Sequence, residues 1–148
     1  MSVILQLKDL GLAGVLAFSA MGSAYGAGVA AMSAIGAWKK CFIQNRPAPF
    51  ILIAFVGAPL TQTVYGMIIM NRIAEIVLKG EFLWSIGIFS GIAMGLSALW
   101  QGKAAACACD AFGENQKGFN NYIIALGIIE TVALFVMAFT LGVLGKFK

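Results

Sequence analysis

From Asn121 to Phe147 the chain is almost wholly apolar, yet Glu130 stands near the middle of the stretch. A helix of this length is long enough to cross the hydrocarbon core of a bilayer. A carboxylate at that depth costs about 2.5–3.5 kcal/mol even on lenient insertion scales. It must be protonated, paired or bound to a cation. The composition agrees with a membrane setting: 61% of the 148 residues are hydrophobic and 11% are charged. Soluble domains carry about 45–50% and about 25%. The net charge of +4 is spread over loops and ends, which speaks against a nucleic-acid partner. Histidine is absent, so the usual general base and transition-metal ligand are missing. Cys41, Cys107 and Cys109 read as small packing residues.

Four apolar stretches predict four transmembrane helices in one small all-α domain. The first runs from Leu10 to Trp38. It is read as a retained span and not a signal peptide, because only Lys8, offset by Asp9, precedes it and the apolar run continues past Ser23-Ala24-Tyr25. Its Gly26-Ala27-Gly28-Val29-Ala30-Ala31 fits a dinucleotide-binding pattern by accident, since no strand precedes it. Gly11, Gly14, Gly22, Gly26 and Gly28 instead make a thin helix that a neighbour can approach closely. The segment from Lys39 to Pro49 reads as a basic loop. The second helix is expected over about Phe50–Leu78, interrupted by Gly57-Ala58-Pro59 and followed by Thr61, Gln62 and Tyr65. The third, about Phe82–Phe112, is again rich in Gly and Ala, with Gln101 as its one polar interior residue. The fourth holds Glu130.

The two halves, 1–80 and 81–148, read as a duplicated helical hairpin. Gln62-Thr63-Val64 aligns with Glu130-Thr131-Val132 at an offset of 68, and Tyr25 and Trp100 occupy similar places. Counted from the shared loop side, Gln62, Gln101 and Glu130 each lie roughly 16–18 Å deep, at 1.5 Å per residue. Thr61 and Tyr65 fall within a turn of that level. These five side chains are therefore expected to converge near mid-bilayer.

Such a cluster has three readings. Polar glue between helices explains Thr and Gln, but not a glutamate with no Lys or Arg at its depth. A proton site needs only Glu130. A cation site uses oxygen ligands: Glu130, Thr61, Gln62, Gln101 and a main-chain carbonyl loosened by Pro59, that of Ala58. One carboxylate neutralises one positive charge, so Na+ is preferred over a divalent ion, with H+ the alternative.

Pro59-x-Thr61-Gln62-x-x-Tyr65, Gln101-Gly102-Lys103-Ala104 and the central Glu130 together resemble the proteolipid (K or c) subunit of V-type rotary ATPases. The resemblance runs over essentially the whole chain. It implies a rotor ring of identical copies in the lipid bilayer, turned by a central-stalk subunit against a stator membrane subunit. It also implies that the chain is itself no enzyme, hydrolysis occurring on partner subunits. Carried over, the sodium-binding set is Glu130, Thr61, Gln62, Gln101 and the Ala58 carbonyl, with Tyr65 steadying the glutamate. Ala58 stands where relatives carry a bulkier aliphatic residue, but only its main-chain oxygen matters.

Lys and Arg number five on each side of the expected spans. The first loop carries three, which places the two helix-pair loops in the cytoplasm and both termini outside. A prokaryotic cell membrane is the expected setting. A small four-helix secondary exporter is the competing class. It requires a substrate cavity, which the close-packing glycines argue against.

Overall fold

The computed structural model describes residues 3–147, with side chains from Leu10 on; the charges of Lys8, Asp9 and Lys148 lie outside these. The elements are α1 (Val3–Ile43), α2 (Leu52–Gly57), a 3-10 turn (Ala58–Leu60), α3 (Thr61–Val77), α4 (Trp84–Asn115) and α5 (Phe119–Leu144). Helix α2, the turn and α3 form one rod, because the joints at Gly57, Ala58, Leu60 and Thr61 all keep right-handed helical angles. Four rods result.

The sequence reading ends the first helix too early. Lys39 and Lys40 belong to α1, not to a loop. Nothing from Lys39 to Ile43 breaks a helix, and Lys40 complements the negative helix C-terminus. The stop comes at Asn45, whose φ of 51° is left-handed. The amide of Arg46 then reaches the Cys41 carbonyl at 2.9 Å and that of Asn45 reaches Phe42 at 3.2 Å. This pair of bonds caps the last turn.

Helices α1 and α4 run parallel and meet backbone to backbone. A Cβ on Gly22 would fall 2.1 Å from the Gly95 carbonyl oxygen, and one on Gly102 would fall 2.1 Å from the Gly26 Cα. Gly11 meets Leu83 and Trp84, and Gly91 meets Gly14 and Val15. No other residue type permits these approaches. Gly28, placed in the same set by sequence, faces open space.

At the loop end, Phe55, Phe112, Phe119 and Tyr122 join α2, α4 and α5, with Phe55 and Phe119 centroids 5.3 Å apart. The Lys40 ammonium bridges Glu114 at 2.6 Å, and Arg46 donates to the Glu114 carbonyl at 2.9 Å. At the far end Val15, Ile69, Ile73, Ile76, Leu83 and Leu144 form a second core.

Among the described residues, three helical segments are long and apolar enough to cross a membrane: Leu10–Ile43, Leu52–Val77 and Phe119–Leu144. The expected four are thus met in part. Helix α4, with 32 residues, has the length but not the composition. Gly, Ser, Gln101 and Lys103 dilute its apolar side chains, because its buried face serves α1 and not lipid.

Candidate ion-binding site

The site lies where the middle of α4 meets the middles of the second rod and of α5, which also touch each other. Pro59 cannot donate a backbone hydrogen bond, and the rod tightens there into the 3-10 turn. Pro59 is buried, beside Gly26 of α1. One turn later, Thr61 and Gln62 open α3. The Thr61 hydroxyl lies 3.2 Å from the Ala58 carbonyl oxygen and 3.2 Å from Gln62 Oε1.

From there one connected hydrogen-bond chain crosses the protein. Gln62 Nε2 donates to Gln101 Oε1 at 2.7 Å. Gln101 Nε2 donates to Glu130 Oε2 at 3.3 Å and to the Leu126 carbonyl at 3.1 Å. Tyr65 donates its hydroxyl proton to Glu130 Oε1 at 2.7 Å. All seven residues picked from sequence therefore meet here: Ala58, Thr61, Gln62, Tyr65, Gln101 and Glu130 in the chain of bonds, and Pro59 in the turn that starts it.

Gln62 and Gln101 are fully buried, so each amide needs its partners; an unsatisfied buried amide costs about 1–3 kcal/mol. Glu130 and Tyr65 are half-buried. Helix α5 buries only Leu126, Ala133 and Leu144 within the chain, so the side of Glu130 away from Gln101 is little covered.

Lys103 corrects one premise of the sequence reading. It lies only two residues beyond Gln101, about 3 Å along the helix, so a cation does share the glutamate's level. It points elsewhere: it is exposed, with its ammonium 4.4 Å from the Trp100 ring centroid. The ion pairs among the described residues are Lys40–Glu114 and Arg72–Glu75, both near helix ends. Glu130 is in neither. Among the described residues, no three of His, Cys, Asp and Glu come together as a metal cluster.

Two participants escape the sequence reading. Ser97 donates to the Ile129 carbonyl at 3.0 Å, and the Leu126 carbonyl accepts from Gln101. Ser97 precedes Gln101 by four residues, hence lies on the same helix face. That spacing is the available signal, and treating Gln101 as the one polar residue of its helix passes over it.

Residues 84–142 match the family described as the C subunit of ATP synthase. The matched stretch is α4 and nearly all of α5, and it contains Ser97, Gln101 and Glu130. It is less than half of the chain, and α1, α2 and α3 lie outside it. No curated protein matches the chain.

Proposed function

We propose that this chain is the proteolipid subunit of a V-type rotor ring that carries Na+ on Glu130. The observation that supports it most is the setting of Glu130. It is an acid at the middle of an apolar helix, with no cation among the described residues paired to it, held by Tyr65 and by an amide chain ending at Thr61 and the Ala58 carbonyl. The match over residues 84–142 to the ATP synthase C-subunit family supports an ion-carrying, non-catalytic ring subunit.

Helix α4 crosses the bilayer with the other three rods on this reading. It is bound in parallel to α1 through glycine contacts from Gly11 to Gly26, so it cannot stay outside a membrane that α1 spans. The two hairpins, 1–80 and 81–148, are copies of one ancestral unit in which Gln62 replaces the second acid. The loops face the cytoplasm of a prokaryotic cell and the termini face out.

The donor set suits a hard monovalent cation: one carboxylate, two amide oxygens, a hydroxyl and a carbonyl. As arranged, the Gln101 amide presents nitrogen to Glu130 and oxygen to Gln62. A cation beside Glu130 calls for the opposite presentation. Turning Gln101 alone would set its nitrogen against the Gln62 nitrogen, so the two amides turn over together. Loaded, Glu130 is neutral overall and passes through lipid. Unloaded, it is anionic and persists only against the polar surface of a stator. Rotation and ion exchange are coupled by that difference. Identical copies complete the ring, a central stalk turns it, and ATP hydrolysis occurs on partner subunits.

The test is carbodiimide labelling of Glu130 in membranes across pH, with and without sodium. Protection by sodium is expected. Protection by lipophilic cations, and not by sodium, would assign an exporter instead. Labelling that follows pH and ignores sodium would assign H+ as the cargo.

A further inference from the structure

Helix α5 is the least covered rod of the chain, yet Glu130 must project from it at a fixed angle to meet Tyr65 and Gln101. Packing alone fixes little near Glu130: the nearest buried positions are Leu126 and Ala133, one on each side. What holds this turn is polar. Gln101 Nε2 reaches the Leu126 carbonyl at 3.1 Å, and Ser97 Oγ reaches the Ile129 carbonyl at 3.0 Å. Both donors stand one turn apart on α4. Both acceptors belong to the turn of α5 that ends at Glu130.

The serine bond is not a default. A serine inside a helix ordinarily bonds a carbonyl three or four residues back in its own helix. Ser19 does so with Val15 and Leu16, and Ser90 does so with Ile86 and Gly87. Ser90 lies on α4 itself, two turns before Ser97. Ser97 instead spans to another helix, as Ser33 does in reaching the Ala106 carbonyl, and is itself nearly buried, 7% exposed.

We infer that Ser97 is a positioning residue for Glu130: its bond to the Ile129 carbonyl pins the α5 turn from which the carboxylate reaches Tyr65 and Gln101. This rests on the ion-carrying reading of Glu130 given above. Gln101 contacts the carboxylate directly. Ser97 touches only the backbone beside it and acts through the direction in which Glu130 leaves the helix. Without Ser97, α5 keeps its own helical bonds but is free to rotate slightly about its axis. The Tyr65 and Gln101 contacts then lengthen together.

The experiment uses the full chain in membranes, with two readouts. One is the sodium concentration that half-protects Glu130 from carbodiimide. The other is the isotope-edited infrared band of the Glu130 carboxyl group, which reports its hydrogen bonds whatever the cargo. Ser97→Ala is expected to raise the half-protecting sodium concentration about threefold, the usual worth of one interhelical bond in a membrane, and to shift and broaden the band. Ser97→Thr, which keeps the hydroxyl, should restore both. Ser90→Ala, whose hydroxyl serves only its own helix, should move neither. Should Ser97→Ala assemble poorly, Ser97→Cys keeps the volume with a much weaker donor and is expected to shift the band in the same direction. An unmoved band and an unmoved sodium midpoint in Ser97→Ala, or in Ser97→Cys where that variant stands in, overturn the inference. So does an equal shift in Ser90→Ala. If sodium fails to protect the unaltered chain, it is the sodium reading that falls, and the infrared band alone then decides Ser97.

Discussion

The Tyr65 hydroxyl and the Glu130 carboxylate, 65 residues apart in sequence, share a hydrogen bond of 2.7 Å. It ties α3 to α5, and Gln101 of α4 reaches the same carboxylate from the other oxygen. Removing the hydroxyl with Tyr65→Phe leaves the ring and deletes the donor. A bond to a charged group is worth about 1.5–3 kcal/mol. The expected outcome is at least a tenfold weaker sodium protection of Glu130, with assembly unchanged, read by labelling against sodium concentration.

Glu130→Gln keeps the size and polarity of the side chain and removes its charge. Ion transport by the assembled complex should be abolished while the protein still inserts. A bundle in which Glu130 is merely glue between helices would carry on normally. Transport assayed in reconstituted vesicles separates these outcomes.

Gln101→Ala removes three bonds at once: the one accepted from Gln62 and those given to Leu126 and Glu130. The Gln62 amide nitrogen is then left buried without its partner, while its oxygen keeps Thr61. The expected result is weakened sodium affinity in an intact assembly, measured by sodium-dependent labelling beside native electrophoresis of the complex. A complex that no longer forms would make Gln101 structural.

Gly22→Leu places a side chain where even a Cβ would sit 2.1 Å from the Gly95 backbone. Helices α1 and α4 must part. Overpacking costs about 1–3 kcal/mol when side chains can give way, and here the obstacle is main chain. Thermal unfolding in detergent should fall by more than for Gly28→Leu, because Gly28 faces open space.

At the loop end, the Lys40 ammonium beside Glu114 holds its carboxyl below the ordinary carboxylate range. The sign follows from a depressed value. The contact contributes fully above the ordinary range and is lost as pH falls through the lowered one. Both side chains are exposed, so the effect is local. Protection of the amides in the 44–51 and 116–118 loops, taken relative to their intrinsic exchange rate at each pH, should fall in acid, and Glu114→Gln should remove that pH dependence while leaving Glu130 labelling as it was.

The site is legible in the sequence because straight helices preserve depth. Counting residues from the loop side is enough to bring Gln62, Gln101 and Glu130 to one level, since each residue adds a constant rise. Azimuth is harder to read. Lys103 shares that level but points to the Trp100 side, and depth counting cannot tell it from a partner of Glu130. Ser97 escapes for a related reason: serine is nearly silent in a hydropathy scan, and only the packed helices reveal that its hydroxyl leaves its own backbone. The end of α1 is misplaced when charge alone is read as a loop. Lysines extend a helix readily, and the true stop is the left-handed Asn45. The fourth expected span, over α4, does not stand out by composition, because the glycines that let this helix pack closely add no hydropathy.

The contact of α1 with α4 has a mechanical consequence. Where side chains separate two helices, a sideways load is taken up by rotamers before the backbones feel it. At Gly22–Gly95 and Gly26–Gly102 there is no such cushion, so the pair bends as a single beam of doubled section. These contacts lie at and just beyond the depth of Gln101, so a load met at that level passes directly between α1 and α4, while α5, with few buried anchors, is the compliant part. The carboxylate thus hangs from the yielding member of a frame whose other side is stiff.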